Sequence, residues 1–317
     1  MARRRSPKSS ARRPGKTSRA RYPSGGRGVS DHELIDRAVK FGREQADVIL
    51  AKRSAKRAAA RAGSAGIIVA EGDSWFDYPF NHVLEKLKDD HGFRIESVAH
   101  RGDAIEGMAY DPAQGAALAN VLTQLADDGE TPRAILLSGG GNDMVGDQFA
   151  MMINHVSSGL PALNASVVTG VINERLMYAY GCVIGRTNQM TEALFPNPVP
   201  IVIHGYAYAV PDGRGFLGGG WILPGPWLRP GFLQKGHTDL AKNKLEVENL
   251  INTLNGMLAL LPTFPNIKNT TYLDLRSVLT NGAAYKQDWE NELHPTPKGF
   301  GRVADKFAAQ INLFPMP

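Results

Sequence analysis

The chain of 317 residues contains a single cysteine, Cys182, which we expect in the core. One thiol excludes an internal disulfide framework and any zinc site built from several thiolates, so cysteine gives no evidence for an oxidising compartment. The eight histidines show no spacing typical of metal ligands, and no carboxylate cluster suggests a metal site. The sequence therefore predicts no metal and no cofactor.

Long apolar runs are also missing. No window reaches the roughly 18 consecutive apolar residues that a membrane span needs. The N-terminus is basic, but no apolar segment follows it before Ser30, as a secretory signal would require. We expect a soluble, cytoplasmic protein without a transmembrane segment, and export by a route without a cleavable signal stays open.

Positive charge is concentrated at one end of the chain. Residues 1–62 hold 18 Lys and Arg against 5 Asp and Glu, a balance of +13, whereas residues 63–317 hold 18 against 26, a balance of −8. Residues 1–29 have almost no apolar side chains, and this composition predicts a disordered basic tail. Residues 1–62 could contact nucleic acid or an anionic membrane weakly, or act only as a solubilising linker.

A basic amphipathic helix is predicted to follow the tail, within residues 30–62. Ser30 and Glu33 form a Ser-x-x-Glu capping box at its start, and basic residues cluster near its end. Its apolar face either packs on the rest of the chain or mediates self-association, and the sequence leaves both open. This face includes Leu34, Val39 and Ile49.

From residue 66 onward, short β-branched runs alternate with segments of helical spacing. Strands that alternate with helices form a parallel sheet with right-handed crossovers. The sequence thus predicts one α/β domain over residues 63–317, a three-layer α/β/α fold of flavodoxin-like type with a five-stranded parallel sheet. The predicted strands are 67–70, 94–99, 134–137, 201–204 and 271–275, and the clearest helices are 238–261 and 298–312.

Two long inserts, 146–200 and 205–236, interrupt this alternation. The first contains helix-like stretches around 149–156 and 167–180, whereas the second is rich in Gly, Pro and aromatic residues and is predicted to be irregular. Loops of this length are usually functional or disordered, and aromatic content argues against disorder. We expect both inserts near the mouth of an active site, because ligands bind at the carboxyl ends of parallel strands.

Small and polar residues follow three of the predicted strands. Ser74 comes just after the first strand, behind a glycine that permits a tight turn, while Gly102 follows the second strand and Asn142 the third. Backbone N–H groups and a short amide at these places can converge on the oxygen that becomes negative during acyl transfer. His294 follows the last strand and is well placed as a general base.

Together these blocks resemble the SGNH hydrolases, a superfamily of GDSL-type serine esterases and lipases. The blocks are Gly-Asp-Ser at 72–74, the glycine at 102, Gly-Gly-Asn-Asp at 140–143 and the stretch that ends at His294. They occur in the order typical of the family and cover the chain from about residue 66 to residue 313. The combination is far more specific than any one block.

The resemblance implies a function and a set of catalytic residues. Ser74 would be the nucleophile and His294 the general base, and the oxyanion hole would comprise the backbone N–H groups of Ser74 and Gly102 and the side chain of Asn142. The implied reaction is the cleavage of a small-molecule or lipid carboxylic ester through an acyl-enzyme. Asp73, Trp75 and Asp143, next to these residues in sequence, are expected to bind substrate.

One position departs from the family. SGNH hydrolases usually have aspartate three residues before the histidine, and here Asn291 stands there. An amide can orient an imidazole but cannot stabilise imidazolium as a carboxylate does. Three options stay open, namely that a neighbouring carboxylate such as Glu292 acts, that Asn291 orients His294, or that a backbone carbonyl does so. We favour a neighbouring carboxylate.

Two other functions fit the same residues. An acyltransferase or a carbohydrate deacetylase would use Ser74 and His294 in the same way, with another acceptor or with the ester on a glycan. A binding protein could keep the fold without catalysis, while its basic tail engages nucleic acid or a membrane. The sequence does not discriminate among these functions.

Overall fold

A computed structural model of the chain describes residues 30–51, 66–218 and 223–317. Its strands are β1 (Ile67–Glu71), β2 (Arg94–Ser97), β3 (Pro132–Leu137), β4 (Ile201–His204) and β5 (Thr270–Leu273). They form one sheet in the order β2-β1-β3-β4-β5, and every neighbouring pair is parallel. The predicted five-stranded parallel sheet is therefore confirmed, with β2 ending two residues earlier than expected and β5 displaced toward the N-terminus.

Helices connect the strands and flank the sheet. Before β3 they are α1 (Asp31–Ala51), α2 (Val83–His91), α3 (Ile105–Tyr110) and α4 (Pro112–Asp127). Between β3 and β4 lie α5 (Asp147–Met151), α6 (Ala165–Thr169) and α7 (Met177–Leu194), and after β4 come α8 (Arg229–Gln234), α9 (Leu240–Leu260) and α10 (Pro297–Ile311). None of these described helices is long and apolar enough to cross a membrane.

The helices form two layers around the sheet. Helix α2 packs against α10, and these two contact β2 and β5, whereas α4 contacts β1 and α9 contacts β4. The central strands β1, β3 and β4 are buried almost throughout, as expected for parallel strands that are covered on both faces. This arrangement is the predicted three-layer α/β/α architecture.

Helix α1 lies against α7 in the described part of the molecule. The two backbones approach so closely that a Cβ atom on Gly42 would stand 2.0 Å from the carbonyl oxygen of Cys182. Val39 is buried in the same contact, and a Cβ atom on Gly185 would stand 2.8 Å from its carbonyl oxygen. The apolar face of α1 thus packs on the rest of the chain. The tail at 1–29, the helix predicted over 52–62 and the side chain of Ile49 lie outside the described residues.

The insert at 146–200 is more helical than its sequence suggests. Helix α6 continues through a π-helical segment, Gly170–Leu176, directly into α7, so one helical run extends from residue 165 to residue 194. The described part of the insert at 205–236, which leaves out residues 219–222, is mostly irregular, as expected, with a 3-10 turn at Phe216–Gly218 and the short helix α8 near its end.

The order of the strands places a crevice above the carboxyl ends of β1 and β3. The chain moves from β1 to β2 on one side and then returns past β1 to β3, and a sheet opens at such a switch point. The two strand ends nearly touch, because a Cβ atom on Gly72 would stand 2.6 Å from the Cβ atom of Ser138. Ser74 follows one of these ends and Asn142 follows the other.

Candidate active site

Ser74 stands on a tight turn directly after β1. The buried Asp73 stabilises this turn. Its carboxylate accepts hydrogen bonds from the Trp75 backbone N–H at 2.9 Å and from the Ser138 hydroxyl at 2.8 Å. Its other oxygen accepts the hydroxyl of Tyr206. Both oxygens of Asp73 are thus engaged by the protein, and the carboxylate fixes the turn that presents the Ser74 hydroxyl.

His294 reaches Ser74 from the loop between β5 and α10. Its Nε2 lies 2.7 Å from the Ser74 Oγ, and its Nδ1 lies 3.0 Å from the Oδ1 of Asn291. Nδ1 therefore carries the hydrogen, which leaves the lone pair of Nε2 to accept from the Ser74 hydroxyl. This tautomer is the one that a general base beside serine requires.

The amide orientation of Asn291 follows from its neighbours. Oδ1 also accepts the backbone N–H groups of Leu293 at 3.0 Å and His294 at 2.9 Å, and a backbone N–H can only donate. The amide NH₂ therefore points the other way, where it donates to the Tyr78 hydroxyl at 2.9 Å. Tyr78 in turn donates to Glu290 at 3.2 Å. This chain of bonds holds the amide oxygen toward the imidazole.

Tyr78 also contacts the imidazole ring directly. Its ring lies nearly parallel to that of His294, with the centroids 4.0 Å apart and an angle of 16° between the planes. An aromatic face attracts a cation through its negative quadrupole, so Tyr78 can stabilise an imidazolium that has no carboxylate beside it. Tyr78 lies four residues after Ser74, and nothing in the sequence indicates this stacking.

The structure gives the position beside Nδ1 to Asn291 and not to Glu292, so the preference for a neighbouring carboxylate is corrected. Glu292 is fully buried and points away from His294, into the insert at 205–236. Its carboxylate accepts four backbone N–H groups at 2.6–3.1 Å, and a carboxylate saturated by such donors has no oxygen left for an imidazole. The four donors belong to Gly213, Trp227, Leu228 and Arg229.

The predicted oxyanion donors meet at the same cleft as Ser74. Gly102 and Asn142 both line this cleft, and Gly102 takes a backbone φ of +90° that favours glycine. The Asn142 amide donates one hydrogen to the Asp103 carbonyl at 2.9 Å, and an amide has a second hydrogen to offer. The elements that follow β1, β2 and β3 therefore bring the three predicted donors together.

Of the three residues expected to bind substrate, Asp143 instead binds the backbone at the start of α3. It is buried, and its carboxylate accepts the backbone N–H groups of Ile105 at 2.9 Å and Glu106 at 3.3 Å at the start of α3. Burial raises the pKa of Asp143, and these N–H donors oppose the shift. Asp73 and Trp75 border a cavity beside Ser74, although the Trp75 Nε1 donates to the Leu293 carbonyl at 3.1 Å.

The chain is similar to several solved structures at low sequence identity. No protein-family model matches the chain, and no curated protein matches it in sequence. A protein described as an SGNH hydrolase from Slackia heliotrinireducens is 14% identical, with 78% of this chain and 98% of that chain covered and a TM-score of 0.40. A protein described as a GDSL-like lipase from Parabacteroides merdae is 13% identical, with 81% and 100% covered and a TM-score of 0.39.

A third similar structure is the salicylyl-acyltransferase of a tetracycline biosynthetic pathway. It is 14% identical to this chain, with 80% of this chain and 55% of that chain covered and a TM-score of 0.40. Two of the three names are of the SGNH or GDSL kind that the sequence motifs resemble. Identity and overlap of this size assign neither an activity nor a substrate to the chain.

Two cavities open beside Ser74. The outer cleft, of about 420 Å³, is aromatic and is lined by Arg101 and His294 as well as by Tyr78, Phe216 and Trp227. The insert at 205–236 supplies the last two of these side chains, as expected. No described residue of the insert at 146–200 lines either cavity, but Tyr180 of this insert donates to the Gly139 carbonyl at 2.9 Å, next to the turn that carries Asn142.

The inner pocket, of about 70 Å³, lies between Ser74 and the buried face of α9. Four apolar residues of that face line it, together with Leu228 from the second insert. The four are Val247, Leu250, Ile251 and Leu254. Their spacing predicts the helix correctly, but an apolar helix face has the same pattern whether it packs in the core or borders a pocket.

The electrostatic character of the site follows from burial. His294 is almost inaccessible, and removal from water disfavours the charged imidazolium, so burial lowers its pKa from 6.5 to about 3. Its base form is therefore present throughout the neutral and mildly acidic range. Within the described part of the chain, no group of three or more His, Cys, Asp and Glu side chains is placed to hold a metal ion.

Proposed function

We propose that the protein is a serine hydrolase that cleaves carboxylic esters through an acyl-enzyme on Ser74. The observation that carries this proposal is the continuous contact from the Ser74 hydroxyl to His294 at 2.7 Å and on to Asn291 at 3.0 Å. It supports a nucleophile with an adjacent base whose tautomer is held by a third group. Gly102 and Asn142 face the same cleft as oxyanion donors.

The first half of the reaction forms the acyl-enzyme. His294 Nε2 takes the proton of the Ser74 hydroxyl while the Oγ attacks the ester carbonyl carbon, and a tetrahedral intermediate results. The backbone N–H groups of Ser74 and Gly102 and the side chain of Asn142 stabilise its negative oxygen. When the bond to the alcohol oxygen breaks, the imidazolium returns its proton to that oxygen, and the alcohol leaves.

The second half releases the acid. Water takes the place of the alcohol, His294 removes one of its protons, and the resulting hydroxide attacks the acyl carbon. The Ser74 Oγ then leaves and recovers the proton from the imidazolium. In both halves Asn291 holds the ring, and the face of Tyr78 stabilises its charged form.

A single substitution tests the proposal. Ser74→Ala should abolish turnover of short-chain p-nitrophenyl esters and labelling by a fluorophosphonate, because both require the Oγ as nucleophile. The melting temperature should remain nearly unchanged, since the removed hydroxyl lies at a half-buried position. Retained hydrolysis in a folded Ser74→Ala variant would refute the assignment.

The same assay separates the alternatives. An acyltransferase would produce a new ester when an alcohol acceptor competes with water, and product analysis detects it. A binding protein without catalysis would show neither hydrolysis nor labelling of Ser74 in the wild-type chain. Salt-sensitive binding of nucleic acid that disappears when residues 1–29 are removed would then support that function.

A further inference from the structure

Ser74 stands at the boundary between two cavities of different character. The outer cleft is wide and carries the cationic side chain of Arg101. The inner pocket is small and is lined mainly by buried apolar side chains of α9 and the segment after β4. Ser74, Asn142 and Leu293 border both cavities, so a substrate held at Ser74 can extend into each.

The position of His294 decides which part of an ester enters which cavity. The histidine must return its proton to the leaving alcohol oxygen, so the alcohol has to lie on the side of Nε2. Among the described residues, His294 lines the outer cleft and is not part of the wall of the inner pocket. The alcohol therefore departs through the outer cleft, and the acyl chain points in the opposite direction.

We propose that the inner pocket binds the acyl chain and selects short, apolar acyl groups of about three to four carbons. The inference rests on the proposed function, because it assigns the acyl side of a reaction at Ser74. It names a substrate class, esters of short fatty acids with a larger alcohol in the outer cleft.

The size limit follows from the volume of the inner pocket. A cavity of about 150 Å³ holds benzene, which is about 25 Å³ per carbon, so about 70 Å³ accepts about three carbons beyond the acyl carbonyl. Tyr206 and Leu254 are part of the pocket wall and are themselves buried. A longer chain would have to displace packed core residues, which proteins resist.

The preference for an apolar acyl chain follows from the side chains that line the inner pocket. The few polar groups at the pocket are occupied, since Asp73 holds the turn before Ser74 and the Tyr206 hydroxyl bonds to it. What remains toward α9 is hydrocarbon, including Leu250 and Leu254. Each methylene transferred from water to such a wall favours binding by about fourfold, whereas a charged or hydroxylated acyl chain would lose its hydration without compensation.

The test is a series of p-nitrophenyl esters from acetate to decanoate. For the wild-type chain, kcat/KM should rise by about fourfold per methylene up to about butyrate, and fall by at least about tenfold by decanoate. Leu250→Ala should move the maximum toward longer chains by about two to three carbons, because it removes three carbon atoms from the wall. Leu250→Trp should move it toward acetate.

The matched control lies on the same helix. Leu258 is as deeply buried in α9 as Leu250 but is not part of the pocket wall in the described structure. Leu258→Ala should therefore lower the melting temperature as Leu250→Ala does, and leave the ratio of butyrate to hexanoate hydrolysis at the wild-type value. A second series, acetate esters of alcohols of increasing length, should be insensitive to both substitutions.

The outcomes separate this inference from the proposed function. A chain-length profile that is the same in Leu250→Ala, Leu258→Ala and wild type would overturn the acyl assignment, while hydrolysis dependent on Ser74 would leave the proposed function intact. A Leu250→Ala effect on the alcohol series instead of the acyl series would also overturn it. Absence of both hydrolysis and fluorophosphonate labelling in the wild-type chain would refute the proposed function itself.

Discussion

The inserts at 146–200 and 205–236 are similar departures in the sequence, but they are held in place by different interactions. The first consists largely of the helical run over 165–194, and its helix α7 packs on α1 through glycines that bring the two backbones together. The second has little regular structure, and four of its backbone N–H groups bind the single carboxylate of Glu292.

The two inserts differ in how their backbone N–H and C=O groups find hydrogen-bond partners. A helix pairs its own N–H and C=O groups and needs only apolar or close packing from outside, whereas an irregular loop must find partners elsewhere. Glu292 provides such partners for the second insert. Phe216 and Trp227 of this insert line the outer cleft. We therefore expect changes where α7 packs on α1 to affect stability alone and changes at the anchor of the second insert to affect both stability and activity.

The largest effect is expected for Glu292→Gln, which would break the attachment of the second insert. The amide keeps the shape of the side chain but turns an NH₂ group toward buried N–H donors, so we expect a loss of about 3 kcal/mol in the free energy of unfolding. Displacement of the cleft wall should also lower kcat/KM by about 100-fold. Urea unfolding and ester hydrolysis measure the two effects.

The neighbouring carboxylate provides the control for that substitution. Glu290 accepts the Tyr78 hydroxyl and does not bind the backbone of the insert, so Glu290→Gln should cost less than about 1 kcal/mol. Equal destabilisation by the two substitutions would contradict the role of Glu292 as the anchor of the second insert.

Gly42→Ala tests the other side of the comparison. Its new Cβ would stand 2.0 Å from the Cys182 carbonyl oxygen, so α1 would have to move away from α7 at a cost of about 1–3 kcal/mol in stability. The kcat/KM of the folded protein should not change. Gly256→Ala on the exposed side of α9, where the Cβ meets nothing within 4 Å, should instead stabilise by about 1 kcal/mol. Lower activity of folded Gly42→Ala would show that α1 serves the site as well.

A smaller effect, at the site itself, is expected for Asn291→Asp. Because burial lowers the pKa of His294 to about 3, its base form persists in mild acid, and the acid limb of the kcat/KM profile should lie well below pH 6.5. A carboxylate beside Nδ1 favours the imidazolium, so the substitution should move this limb upward by about 1–3 pH units. An unmoved limb would contradict the contact between residue 291 and His294 in the working enzyme.

The smallest effect concerns the ring of Tyr78. Tyr78→Phe keeps the stacked ring and removes only the hydroxyl that accepts from Asn291, so kcat should fall by no more than a few-fold. Tyr78→Leu also removes the aromatic face, and kcat should fall by about tenfold or more. If both variants lose the same activity, the stacking contributes nothing and the hydroxyl alone matters.

Much of the site could be predicted from sequence because its determinants are local. A glycine and a serine at the end of a buried strand and an asparagine after the third strand indicate the crevice, and the structure brings Ser74 and Asn142 to it. The residue that lies beside Nδ1 of His294 could not be predicted in this way. Asn291 and Glu292 are adjacent in the chain, and only the packing of the second insert decides which of them faces the imidazole.

The sequence by itself determined the alternation of strands and helices, the parallel sheet and the residues available at the strand ends. Periodicity and turn residues act over a few positions, so they can be recognised without a partner. Only the tertiary structure decided that α1 packs on α7, that Glu292 holds a loop and that the apolar face of α9 borders a pocket at Ser74. These outcomes depend on contacts between segments far apart in the chain, and an apolar or acidic side chain looks the same in sequence whichever partner it meets.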